Sequence, residues 1–317
     1  MFRFLISPKE KIEKVRNSVV TVGSFDGMHK GHMQLLYQMN KLADDKGLKR
    51  ILITFEPLPP EYFADLNYNE RLARLSLLRD KLLILENSKN AYIDELVILR
   101  FNIETASLSA NQFIEDVLIN QLNAEDLVIG HDFKFGKNGS GNIDNLRQYG
   151  LNISVVPPFY IDEQRVSSSL IRNYAKLNEL QLVKKYLGHN LHYTSRVIYG
   201  NQLGRKFGVP TINLCLGKNR PALWGIYVAY VYIDGIRYNA VASIGKNPTV
   251  SDLEVYKLEA HLLDVDLNLY GKVARVEILE FLREEHKFDD LDSLFKQIYV
   301  DLDNTRLYFT KVECNGL

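Results

Sequence analysis

The spacing of apolar side chains divides the chain into two halves of different character. Val19–Val22 is a short β-rich run and Gly23–Gly31 a loop, after which Leu35, Leu36, Met39, Leu42 and Ala43 recur at helical spacing until Gly47. Leu48–Phe55 then reads as a strand, 69–86 as a helix and Leu96–Phe101 as a strand, while Ser109 caps a helix with Gln112 three residues on, as in a capping box. Leu127–Gly130 and Ile153–Val156 add two buried strands. Strands that alternate with helices need crossover connections, so the first half is predicted to be α/β, a parallel sheet covered on both faces.

A helical stretch ends at Leu187, and Gly188-His189-Asn190 marks a break. Strands without intervening helices follow: His192–Tyr199, Gly225–Ile233, Ile236–Ile244, Lys257–Leu263 and Lys272–Phe281. Asp234-Gly235 suits a type I′ hairpin turn, and the close spacing of the runs predicts a small closed antiparallel barrel. Leu291, Leu294, Phe295, Ile298 and Leu302 form one apolar stripe, which predicts a last helix packed on that barrel. Residues 1–187 and 188–317 are the two expected domains, and a length of 317 residues suits two cores.

Charge and cysteine content narrow the function. Thirty-nine Lys and Arg balance thirty-nine Asp and Glu, so an anionic ligand must be gripped by a local site, which argues against a nucleic-acid coat or a polybasic membrane anchor. Cys215 and Cys314 form no Cys-x-x-Cys, as expected in a reducing cytoplasm and not in a disulfide scaffold or zinc ribbon. The opening apolar residues meet Pro8 and charged residues at once, unlike a signal peptide, and the longest uncharged apolar run, Trp224–Ile233, is half of the roughly 20 residues a membrane helix needs. The chain reads as a soluble cytoplasmic protein, a monomer or weak homo-oligomer, with small-molecule partners and neither nucleic acid nor membrane.

Candidate chemistry gathers first at the strand-to-helix loop. His29 and His32 stand beside the helix N-terminus, where amides and the helix dipole favour an anion, imidazoles donate to phosphate oxygens, and Gly27 and Gly31 admit close backbone approach. Two histidines without a nearby cysteine disfavour zinc. Ser167, Ser168 and Ser169 form a second helix-capping cluster, with Arg172 one turn on to neutralise charge, and Phe133 and Phe135 are spaced to flank a flat ring. In the second half, Gly204, Arg205 and Lys206 begin a glycine-flanked basic turn. Thr211 and Asn213, two apart on one strand face, offer hard oxygen ligands suited to Mg2+. Gly-Lys never precedes Ser or Thr, so no Walker A ending is present.

Taken in order, these segments resemble the bacterial bifunctional riboflavin kinase/FAD synthetase family. Gly23-Ser24-Phe25-Asp26-Gly27-Met28-His29-Lys30-Gly31-His32 is similar to its signature, whose His-x-Gly-His is shared across the nucleotidylyltransferase superfamily, and Phe55–Phe63 resembles its next loop, with Leu58 where many members carry histidine. Gly130-His131-Asp132-Phe133-Lys134-Phe135-Gly136 and Arg165–Arg172 resemble two further segments. Pro210-Thr211-Ile212-Asn213 resembles the Pro-Thr-Ala-Asn motif of the flavokinase domain, and Leu258–Asp264 and Phe281–Phe288 resemble segments that follow it.

The resemblance implies a Rossmann-like nucleotidylyltransferase domain followed by a flavokinase barrel with a closing helix. It implies phosphorylation of riboflavin to FMN with ATP and Mg2+, then adenylylation of FMN to FAD. On that pattern Glu259 is the kinase base and His29 and His32 serve adenylyl transfer. Gly23, Ser24, Phe25, Gly31, Arg165, Ser167, Ser168, Ser169, Arg172, Gly204, Arg205 and Lys206 hold ATP phosphates; Asp132, Phe133, Phe135 and Arg283 meet flavin; Thr211 and Asn213 hold the metal. A flavin-binding sensor, or an adenylyltransferase for another phosphorylated substrate, are the alternative readings.

Overall fold

A computed structural model describes residues 2–5, 7, 17–88, 91–200, 204, 207–247 and 255–314. Contacts divide the chain into two compact units: Met1–Leu72 with Lys81–Ser167, and Ala73–Asp80 with Ser168–Leu317.

The first unit is built on β1 (Phe2–Leu5), β2 (Ser18–Val22), β3 (Lys49–Glu56), β4 (Glu95–Arg100), β5 (Ala124–Gly130) and β6 (Asn152–Val156). They form one sheet in the order β1-β4-β3-β2-β5-β6, with every neighbouring pair parallel. Burial on both faces explains the near-continuous apolar runs of the central strands: Val19, Val20, Ile51, Leu52, Ile53, Leu127 and Val128 are all closed to solvent. Helices α1 (Lys30–Lys46), α2 (Pro59–Leu66), α3 (Leu78–Asn87), α4 (Ile103–Ser107), α5 (Ala110–Gln121) and α6 (Ile143–Gln148) complete the unit. Gly47 ends α1 in the left-handed region, its N–H donating to Ala43 O, as expected for a glycine just past the last turn.

Two expectations are refined here. The helix expected over 69–86 is shorter, Leu78–Asn87, because Ala73–Asp80 packs into the second unit: Arg74 N–H donates to Arg220 O at 2.7 Å, and Ala222 N–H to Arg74 O at 3.0 Å. The reciprocal capping box of Ser109 and Gln112 is present, but the helix changes from α to π geometry at Phe113. Residues 152–165 finish the unit with β6 and a small antiparallel pair, β7 (Tyr160–Ile161) and β8 (Gln164–Arg165).

In the second unit, α7 (Ser168–Lys176) and α8 (Leu180–Leu187) precede β9 (His192–Ile198), β10 (Ile212–Gly217), β11 (Gly225–Ile233), β12 (Ile236–Asn247), β13 (Val255–Leu262) and β14 (Val273–Arg283). These six strands close into an antiparallel barrel in the order β10-β13-β12-β11-β14-β9. Asp234 and Gly235, at φ of 50° and 80°, form the expected tight turn between Ile233 and Ile236. The last helix, α9 (Leu291–Cys314), covers the outer face of the barrel, where Leu302 and Phe309 meet Val228 and Leu263. Of the expected stripe, Phe295 and Leu302 are buried, whereas Leu291 at the first turn is exposed. No helix among the described residues is long and apolar enough to cross a membrane.

Asp80 gives this unit a pH-dependent stability. It is fully buried and accepts from Leu77 N–H at 2.7 Å; burial raises its pKa to about 7, against the opposing pull of Thr194, Leu77 and Arg275. The folded state keeps a proton that the unfolded chain releases above its ordinary value of 3.8, so stability falls as pH rises from about 4 to about 7 and then levels off. Asp80→Asn should flatten that decline, which thermal unfolding midpoints of parent and variant between about pH 4.5 and 8 will measure.

Candidate functional sites

In the first unit the strand order reverses direction between β2 and β5: β3 and β4 continue on one side, β6 on the other. Loops leaving the carboxyl ends of two such strands flank the crevice where open α/β sheets bind ligands. The segment Gly23–Gly31 leaves β2 there, and Gly130–Phe135 leaves β5.

The first loop is tightly wound. Phe25, Gly27 and Met28 all have positive φ, at 47°, 82° and 44°. Its start is tied to β3 by Gly23 N–H donating to Ile53 O at 3.1 Å, and the Ser24 carbonyl accepts from Lys81 Nζ at 2.7 Å and from Thr54 Oγ1 at 3.2 Å. Its end is the N-cap of α1: His29 Nδ1 accepts from His32 N–H at 3.2 Å, which leaves the ring hydrogen of a neutral His29 on Nε2. The two imidazoles stack with centroids 3.5 Å apart, and Phe25 lies 5.0 Å from His32. Gly31 suits this packing, because a Cβ would press on the His29 ring at 3.2 Å. The loop thus presents its histidines beside helix amides.

Beyond β5, Asp132 and Arg165 form an ion pair at 2.5 Å. Burial raises the Asp132 carboxyl, but the hydrogen bond and charge of Arg165 outweigh it and hold the group below its ordinary range. Phe133 stacks on Phe135 at 5.4 Å, and Phe135, 7% exposed, packs into the core against Phe113. Ser167 lies at the end of this unit; Ser168, Ser169 and Arg172 belong to α7 of the second, where Arg172 Nε donates to Ala73 O at 2.7 Å.

The second unit holds a cavity of about 610 Å3 between the barrel, the segment after β14, and α9. That volume suits a small organic ligand. Strand register builds one wall: Asn213 pairs with Glu259, and Glu259 with Ser243, so these side chains form a row on three adjacent strands. Thr211, two residues before Asn213, lines the same cavity. Gly200 leaves room for the Asn213 amide, which a Cβ there would meet at about 2.5 Å.

Glu259 is paired with Lys257 at 2.7 Å. Glu285 accepts from Ser243 Oγ at 3.0 Å, and burial pushes its carboxyl above the ordinary range, with Glu259 adding to the rise while Ser243, Lys257 and Arg283 oppose it. Also lining the cavity, Arg283 grips Asp301 of α9 through Nε and a terminal nitrogen at 2.8 to 3.1 Å. His261 contacts Pro210 O at 2.7 Å, and burial lowers its pKa against that hydrogen bond.

Thr211, Asn213, Glu259, Arg283 and Gly204 are therefore brought to one cavity, whereas Arg205 and Lys206 lie outside the described residues. Lys257, Ser243 and Glu285 escaped the sequence reading. The alternation Lys257-x-Glu259-x-His261 carried a signal for the first, since it sets the three on one face, away from Tyr256, Leu258, Ala260 and Leu262. Nothing local marks the approach of Glu285 to Ser243, which depends on the path of the chain after β14.

Comparison with known proteins finds two family matches, one in each half of the chain. A family model described as FAD synthetase matches residues 11–170, and one described as riboflavin kinase matches 187–309. The bifunctional riboflavin kinase/FMN adenylyltransferase of Haemophilus influenzae is 36% identical over 300 residues, spanning 93% of this chain and 95% of the relative. That of Escherichia coli K12 is 35% identical over 296 residues, 92% of either chain. A crystal structure of a Streptococcus pneumoniae chain, named a macrolide-efflux protein, shares 30% identity with a TM-score of 0.74, covering 96% of this chain and 98% of that one.

Proposed function

We infer how the two units divide their work from the premise that this chain belongs to the bifunctional riboflavin kinase/FMN adenylyltransferase family. The protein transfers the γ-phosphoryl group of ATP to riboflavin, giving FMN and ADP, and the adenylyl group of a second ATP to FMN, giving FAD and pyrophosphate. In our reading residues 1–187 carry adenylyl transfer and 188–317 carry the kinase, in a cytoplasm that supplies the ATP.

The observation that carries the kinase assignment is the row Asn213, Glu259, Ser243 on the wall of a ligand-sized cavity. The ribityl 5′-hydroxyl is a weak nucleophile, and Glu259 takes its proton as the bond to the γ-phosphorus forms and that to the ADP oxygen breaks. The Lys257 ammonium at 2.7 Å fixes the orientation of Glu259. Thr211 and Asn213 fit Mg2+ by their chemistry: a hydroxyl and an amide oxygen are hard donors, and Gly200 keeps the space around the amide. When bound, that ion would neutralise phosphate charge. The Arg283–Asp301 pair holds the wall that a flavin ring would meet.

Adenylyl transfer needs no protein base, because the FMN phosphate is already ionised near neutral pH. An FMN phosphate oxygen attacks the α-phosphorus, and pyrophosphate leaves with the bonding electrons. The first unit must orient the reactants and stabilise the charge that develops, tasks we assign to the loop amides, His29 and His32, with Arg165 and Ser167 on the phosphates. The Asp132 carboxylate, with Phe133 and Phe135 behind it, is assigned to the flavin. The sensor reading leaves the Thr211, Asn213 and Glu259 arrangement without use, and an adenylyltransferase for another substrate leaves the barrel without use.

Glu259→Gln preserves size and hydrogen bonding, so riboflavin phosphorylation should fall by about two to four orders of magnitude in kcat while supplied FMN still becomes FAD. Chromatography of flavins from the purified variant with ATP and Mg2+ reads both steps; a kinase rate within a few-fold of the parent would make Glu259 structural. His29→Ala or His32→Ala should have the opposite effect, costing adenylylation roughly 2.7 to 4 kcal/mol and sparing the kinase.

Residues 188–317 expressed alone should fold and phosphorylate riboflavin, since Thr211, Asn213 and Glu259 all lie within them. The fragment should melt below the full chain, because it lacks Ala73–Asp80 and the bond from Tyr227 Oη to Asn178 at 2.7 Å. Circular dichroism melts and kinase assays check both statements.

A further inference from the structure

Lys81 is 2% exposed, and its ammonium points to the phosphate loop of the first unit instead of to water. Burying an ammonium is costly unless acceptors replace its hydration. Here the Ser24 carbonyl takes a hydrogen bond from Nζ at 2.7 Å, and Thr54 Oγ1 lies 3.4 Å from Nζ. Thr54, itself fully buried, also donates to the Ser24 carbonyl at 3.2 Å. One carbonyl in the first turn of the loop is therefore held by two side chains from outside that loop.

The consequence follows from peptide geometry. The Ser24–Phe25 bond is trans, so the carbonyl of Ser24 and the N–H of Phe25 point in opposite directions. Drawing the carbonyl toward Lys81 and Thr54 turns the N–H away from them. No backbone carbonyl of the described residues accepts from that N–H. Phe25 is held at a φ of 47°, in a region that side-chain-bearing residues rarely occupy, so external support for this peptide is needed.

We propose that Lys81 is a positioning residue of the adenylyltransferase: by holding the Ser24 carbonyl, with Thr54, it aims the Phe25 N–H at the phosphate oxygen that gains charge during transfer. The proposal rests on the adenylyltransferase reading of this loop. It assigns to Lys81 no proton transfer and no direct contact with ATP. A donor aimed at developing charge acts in the transition state, so its loss appears in kcat more than in KM.

The test is steady-state kinetics of both reactions on the same full-length preparation, with ATP varied. Lys81→Met keeps the buried stem and removes the ammonium. Adenylylation kcat should fall about 10- to 100-fold, with KM for ATP within about threefold of the parent and riboflavin phosphorylation within about twofold. Thr54→Val, which is nearly isosteric, should lower the same kcat about three- to tenfold. A folded Lys81→Met protein with parental adenylylation kcat, or with a loss confined to KM or shared equally by the kinase, overturns the proposal. If Lys81→Met does not fold, a parental kcat in Thr54→Val overturns it. Failure of the parent protein itself to form FAD from FMN would instead overturn the reading of the loop, and the role of Lys81 with it.

Discussion

Strand register is the constraint on which the cavity of the second unit depends. Asn213, Glu259 and Ser243 face the same side only because β10, β13 and β12 pair at those residues, and a slip of one position in any of these strands would turn its member of the row toward the barrel interior. The interior resists such a slip. Leu214, Leu258, Ala260, Ala242 and Ile244 alternate with the polar row and are buried, so the apolar face and the chemical face hold each other in place. Closure of the barrel removes the free edges along which a strand slides. The outer face would ordinarily be solvated; α9 and the segment after β14 cover part of it, and the cavity is the space they leave.

The first unit solves a different problem with a different device. A parallel sheet sends every strand out at the same end, so the loops after β2 and β5 emerge side by side without any side-chain register to align them. Precision then has to come from the loop itself. Glycines at 27 and 31 permit the winding and the packing of His29, while the neighbours of Ser24 brace the entry and the His29 cap closes the exit. Such a loop suits a chain of zero net charge, since a helix end supplies partial positive charge without adding lysines to the surface.

Period and punctuation made the elements readable. The 3.6-residue spacing of Leu36, Met39 and Ala43, with Gly47 after it, and the two-residue alternation around Glu259 reflect burial of one face, and burial is what each element adopts. Where the helix over 69–86 proved shorter, the local pattern was competing with a non-local demand: Arg74 and its neighbours exchange backbone hydrogen bonds with residues near 220, nearly 150 positions away. The same limit hid Lys81 and Glu285. A lysine within a helical stretch carries no mark of whether it faces water or a distant carbonyl. The candidate residues came as motifs, in short runs that stay together in space; the ones that support them are single residues from other elements, and only the fold brings them in.

Charge balance separates the two chemistries further. A carboxylate beside a triphosphate is repelled by it, so a kinase that needs one as base must surround it with compensating groups. Each of the three carboxylates lining the cavity of the second unit has a donor: the Lys257 ammonium for Glu259, the Ser243 hydroxyl for Glu285 and the Arg283 guanidinium for Asp301. Such pairing keeps a carboxylate oriented, and the Ser243 hydrogen bond to Glu285 opposes the rise that burial imposes on that group. Attack by a phosphate needs no base, and the loop of the first unit accordingly offers amides and imidazoles at its helix end. On the assignment proposed above, the difference between the nucleophiles, an alcohol that must lose a proton and a phosphate that has already lost it, accounts for paired polar groups on a barrel wall in one site and hydrogen-bond donors at a helix terminus in the other.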